Sequence, residues 1–153
     1  MSTASPALEL DTATRLRMVI GRLSRRLRPT AAGSAAGLTP TKTSVLLSVV
    51  REGPMRLSAL AESESLNPTL LSRSISALVD AGILERSSDE GDRRAAWVQA
   101  TPAGRELAQQ VRRERTDAVN AAMETLPVAD RRLLEQALPA LESLAQQLVE
   151  RRP

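Results

Sequence analysis

The sequence predicts a mainly helical fold carrying one small β-hairpin, and three observations lead there. Apolar residues recur at helical spacing over most of the chain. Two runs, Ile83-Leu84-Glu85-Arg86 and Ala96-Trp97-Val98-Gln99-Ala100, read instead as strands, joined over residues 88–94 by a turn rich in Asp and Gly. A short, well-capped helix leads directly into that hairpin, whose tip carries the adjacent arginines Arg93 and Arg94.

The capped helix is the element around which the rest of the chain is arranged. Asn67 has the side-chain oxygen to accept an orphan N–H of the first turn. Pro68 fits the first helical position, where no N–H is needed. Leu71, Ile75 and Leu78 fall at i, i+4 and i+7 and form one buried stripe. Gly82 stops the helix by adopting a left-handed conformation. Thr69, Arg73, Ser76 and Ala77 then point away from the stripe, with Leu70 and Ser72 on its flanks. That outer face is small, polar and singly basic, a shape and chemistry that enters a DNA major groove without steric conflict. A helix followed at once by an arginine-tipped hairpin is the layout of a winged helix-turn-helix.

The remaining elements follow in order. The first ten residues read as disordered. Leu16, Val19, Ile20, Leu23 and Leu27 mark an amphipathic helix over residues 12–28, ended by Pro29. It holds six arginines and no acid, which suits phosphate contact, a ligand cleft or a solvated face. Residues 30–37 read as a flexible connector. Thr39 and Pro40 start a second helix with Val45, Leu46, Val49 and Val50 inward, and Gly53-Pro54 closes it. Met55-Arg56-Leu57 is a candidate third strand. Residues 58–64 form the first helix of the helix-turn-helix, with Leu57, Leu60 and Ala61 buried and Leu66 plugging the turn. A long helix from Pro102 to about Thr125 has Leu107, Val111, Ala118 and Ala122 as its stripe, and most of its arginines, Arg105, Arg112, Arg113 and Arg115, read as a solvated face. The last helix, residues 129–150, carries Leu133, Leu134, Leu138, Leu141, Leu144, Leu148 and Val149, more than a small monomer buries, and Pro139 should kink it.

Composition bounds the chemistry. The 153 residues suit a single unit, 42% apolar and 25% charged. No apolar run spans a membrane and the N-terminus lacks a signal peptide's apolar core, so a cytoplasmic location is expected. Cysteine and histidine are absent, which removes thiol chemistry, imidazole acid–base work and the usual transition-metal sites. No catalytic constellation, metal site or cofactor motif emerges, and an enzyme is not expected. Residues 54–100 hold five arginines against seven acids, so this segment alone gives no strong nonspecific grip on DNA. Trp97, the sole aromatic residue, reads as a packing anchor.

One resemblance is specific. Ala81-Gly82-Ile83-Leu84-Glu85-Arg86, Asp89, Asp92-Arg93-Arg94 and Thr101-Pro102-Ala103-Gly104 are similar to the signature of the multiple-antibiotic-resistance regulator (MarR) family, and the likeness covers nearly the whole chain. It implies dimerisation helices at residues 12–28 and 102–150 and a DNA-binding region at 39–101. It places Asn67, Thr69, Leu70, Ser72, Arg73 and Ser76 at double-stranded DNA. Leu70 departs from the small polar residue usual there and would meet a thymine methyl. Arg93 and Arg94 would reach DNA at the wing, with Asp92 orienting Arg94 in the minor groove; the alternative is a surface salt bridge. The family binds small phenolic anions in a cleft, which here would be lined by Leu, Ala, Met and Arg. The resemblance thus implies a homodimeric regulator on an inverted-repeat operator, a repressor relieved by a small-molecule effector. The alternative is a dimer without an effector, binding DNA constitutively or acting through protein contacts.

Overall fold

The structure is a computed structural model that describes residues 6–88 and 96–150, with side chains from 11–88 and 96–148. Seven helices and three strands occur among these residues: α1 (Pro6–Leu27), α2 (Ala31–Ala35), α3 (Pro40–Glu52), β1 (Met55–Arg56), α4 (Leu57–Glu64), α5 (Pro68–Asp80), β2 (Leu84–Ser88), β3 (Ala96–Ala100), α6 (Pro102–Glu124) and α7 (Val128–Glu150). The chain divides into two compact units, Met1–Arg115 and Thr116–Pro153.

In the first unit, α3, α4 and α5 pack with the sheet around one core. Val45, Leu46 and Val49 of α3, Leu60 of α4, and Leu71, Ile75 and Leu78 of α5 meet Ile83, Leu84, Val98 and Ala100 of the sheet segment and Ala108 of α6. Each of the larger side chains contributes about 1.5–3 kcal/mol on leaving water, and together they fix α5 against the sheet. The sheet order is β1-β3-β2, antiparallel throughout, with Leu84 opposite Ala100 and Arg56 opposite Trp97. Val50, Leu57, Ala61 and Leu66 are half-buried at the edge of this core rather than inside it.

The Thr-Pro-x-Gly run has a mechanical explanation. The Gly104 N–H donates to Thr101 Oγ1 at 3.0 Å and caps the first turn of α6. The Thr101 hydroxyl reaches the Gly82 carbonyl at 2.7 Å, and the Thr101 N–H donates to the Ile83 carbonyl at 3.1 Å. Three chain segments are tied at one point: the end of α5, the start of β2 and the start of α6.

Several expectations need correction. The first helix begins at Pro6, where the missing N–H costs nothing, so residues 6–10 are helical and not disordered. The connector contains α2, capped by Thr30, whose Oγ1 accepts from the Gly33 N–H. The first N–H groups of α2 also donate to the Glu114 carboxylate of α6, Ala31 at 2.6 Å and Ala32 at 3.0 Å. In α6 the buried stripe is Gly104, Ala108 and Val111 with Leu107 half-buried, whereas Ala118 and Ala122 are exposed. Of the α6 arginines, Arg105, Arg112 and Arg113 are exposed and Arg115 is half-buried.

The second unit comprises the end of α6, a tight turn and α7. The turn closes with the Leu126 N–H on the Met123 carbonyl at 3.1 Å, and the Arg131 N–H on the Pro127 carbonyl at 3.1 Å starts the next helix. Helix α7 runs through Pro139 as one element. Leu133, Leu138 and Leu148 are 62%, 52% and 61% exposed, and Leu134, Leu141 and Leu144 are exposed as well. In α1, Met18, Val19, Ile20 and Leu23 are likewise exposed.

Candidate nucleic-acid interface

Helix α5 is built as its sequence predicts. The Leu70 N–H donates to Asn67 Oδ1 at 2.8 Å, and Pro68 occupies the first turn. Leu71, Ile75 and Leu78 are buried, together with Ser74, whose hydroxyl donates to the Leu70 carbonyl at 2.9 Å and so needs no other partner. Asn67, Thr69, Ser72, Arg73 and Ser76 are exposed, and Leu70 is 42% exposed among them. Ala77, expected on this outer face, is half-buried. All six nominated residues are thus solvent-exposed, Thr69, Arg73 and Ser76 on the outer face of α5, Leu70 and Ser72 on its flanks, and Asn67 at the cap.

Both ends of α5 are fixed. The turn before it passes through Ser65, a non-glycine residue at φ 53°, held by hydrogen bonds from the Ser65 N–H to the Glu62 carbonyl and from the Leu66 N–H to the Ala61 carbonyl. The Glu64 carboxylate, at the end of α4, accepts from the Ser44 hydroxyl at 2.5 Å and from the buried Ser48 hydroxyl of α3. Ser44 and Ser48 stand one helical turn apart, so a single carboxylate locks α4 to α3. After α5, the Ile83 N–H donates to the Leu78 carbonyl and the Gly82 N–H to the Val79 carbonyl, both at 2.9 Å, with Gly82 at φ 69°. This left-handed termination turns the chain into β2 within two residues.

Arg86 is a residue of this surface that sequence reasoning missed as a site. From β2 its Nη2 reaches the Ser76 hydroxyl at 3.3 Å and the Ser72 carbonyl at 3.4 Å. The outer face of α5 thus carries two guanidinium groups, Arg73 and Arg86, and not one. Only the β-strand alternation that puts Glu85 and Arg86 on opposite faces hinted at it. On the other strand, Trp97 is half-buried, and the Arg56 guanidinium lies 5.6 Å from its ring centroid, so it packs under a cation and not in the central core. Asp92, Arg93 and Arg94 lie outside the described residues, as does Asp89.

A separate cavity of about 210 Å³ lies in the same unit, lined by Arg28, Pro29, Thr30, Gly33, Ser34, Leu38, Pro40 and Thr43. Leu38 and Arg28 are its apolar and charged members, beside Pro, Thr, Ser and Gly. Arg115 is held below the ordinary guanidinium value by burial and then by the like charge of Arg28. Its Nε is buried with no hydrogen-bond partner among the described residues.

Residues 38–96, which run from just before α3 through β1, α4, α5 and β2 to the first residue of β3, match the sequence profile of the MarR family. A helix-turn-helix-type transcriptional regulator of Mycobacterium tuberculosis is 31% identical over 132 residues, covering 86% of this chain and 91% of that protein. Wild-type MarR from E. coli in its apo form superposes with a TM-score of 0.71 at 22% identity, covering 92% of this chain and 98% of that one. NadR, solved in complex with 4-hydroxyphenylacetate, gives a TM-score of 0.62 at 21% identity, over 92% of this chain and 97% of its own. Among the described residues no helix is long and apolar enough to cross a membrane. The chain belongs to the MarR family of helix-turn-helix transcriptional regulators.

Proposed function

We propose that the chain works as a homodimer on an inverted-repeat operator, as a repressor released by a small molecule. The observation that carries the DNA contact is the outer face of α5, polar and exposed while its other face is anchored in the core. In this reading Asn67, Thr69, Leu70, Ser72, Arg73 and Ser76 enter the major groove. Arg73 presents a two-pronged donor matched to the O6 and N7 acceptors of guanine, and the hydroxyls serve bases or phosphates. Arg93 and Arg94 reach the minor groove from the hairpin tip, with Asp92 orienting Arg94. Residues 39–101 form the DNA-binding region, and residues 12–28 and 102–150 the dimerisation helices.

The leucines left in water along α7 support dimerisation, since an apolar surface of that kind on a small chain marks a partner interface. The cavity beside Arg28 supports an effector, and the charge of Arg28 with nearby Arg115 favours an anion. NadR, a structural relative, was solved with a small carboxylate, 4-hydroxyphenylacetate. Selection of bound fragments from the source genome, followed by footprinting, tests the reading. It expects two protected half-sites about one helical turn, roughly 34 Å, apart. A single asymmetric half-site, or no protected fragment, rejects it.

A further inference from the structure

We infer that Arg86 is a positioning residue for base recognition, acting through Ser76. A serine hydroxyl has one proton to give and two lone pairs to accept with. In this structure one lone pair of Ser76 receives the Arg86 Nη2 at 3.3 Å, and the hydroxyl makes no other hydrogen bond among the described residues. The same nitrogen holds the Ser72 carbonyl at 3.4 Å, which sets the guanidinium across one turn of α5. A cation bonded to the oxygen disfavours the approach of a second donor and polarises the O–H outward. Ser76 is therefore presented to the groove as a donor. It selects an acceptor edge, such as N7 or O6 of guanine, N7 of adenine or O4 of thymine, against the amino group of cytosine. A free serine at this place would accept either.

The inference rests on α5 being the reading helix, and the test separates the two. Purified full-length Arg86→Ala, Arg86→Lys, Ser76→Ala and the Arg86→Ala/Ser76→Ala pair are measured on a library randomised one base pair at a time around the bound site. Arg73→Ala serves as the reference variant, and thermal melting follows the fold of each. Arg86→Ala and Ser76→Ala should lose preference at one and the same base pair, roughly fivefold to tenfold each. The double variant should lose no more there than either single one, and Arg86→Lys should recover part of the preference. Equal melting temperatures with this shared loss support positioning, because a merely structural effect would spread over all positions. Wild-type preference in Arg86→Ala, or additive losses at two different base pairs, overturns the inference while leaving α5 in the groove. If Arg73→Ala also keeps every preference, α5 is not the reading helix and both proposals fall.

Discussion

Gly104 and Ile83 meet so closely that a Cβ on Gly104 would fall 2.0 Å from the Ile83 carbonyl oxygen. The contact involves backbone, so no rotamer change relieves it. Gly104→Ala should therefore destabilise the fold by at least about 1–3 kcal/mol, the usual scale of overpacking. Thermal melting checks this, and an unchanged midpoint contradicts the packing of α6 against the β2 entrance.

At the reading helix and the hairpin tip the two arginines should behave differently. Arg73→Ala should cost about 1–3 kcal/mol and relax preference at one base position. Arg94→Ala should weaken binding and flatten the salt dependence, with little change in preference inside the half-site, because the minor groove carries a degenerate code. A salt titration on operator and scrambled duplexes distinguishes them. Wild-type binding by Arg94→Ala at every salt concentration would make the wing a structural hairpin only.

For assembly, Leu141→Glu together with Leu144→Glu should convert dimers into monomers. Both residues are exposed in the single chain, so the substitutions test the proposed dimer face while leaving the buried core untouched. Sedimentation gives the answer; a folded dimer after the change means that another face carries the interface.

Without cysteine or histidine, mild peroxide and sub-millimolar zinc should leave DNA binding unchanged. The measurement is an operator shift assay with and without each agent. Release by low peroxide that a thiol reductant reverses contradicts this expectation.

Local chemistry decides which elements are legible in the sequence. Asn67, Pro68 and Gly82 announce α5 because a cap, a first-turn proline and a left-handed glycine act within a few residues of themselves. The Thr101–Gly104 run was legible as a family signature, but its cause, the junction with Gly82 and Ile83, spans some twenty positions and needed the fold. Helix α2 stayed hidden because an acid 82 and 83 positions away, Glu114, receives its first N–H groups. Arg86 escaped notice for a similar reason: nothing in its neighbours says that its side chain bridges to the helix before it. The stripe continues to Ala118 and Ala122, which are exposed in the single chain, so periodicity gives a face without saying what covers it.

Trp97 gives the hairpin an optical identity of its own. The chain has one tryptophan and neither tyrosine nor phenylalanine, so its aromatic emission arises at a single address on β3, opposite Ser87 and Arg56. The guanidinium stationed over the indole makes that emission sensitive to any displacement of β1 relative to β3. Signals from α6 and α7 are silent by comparison. An unlabelled protein titrated with duplex therefore reports the surroundings of the wing sheet alone, against an almost dark background from the rest of the molecule.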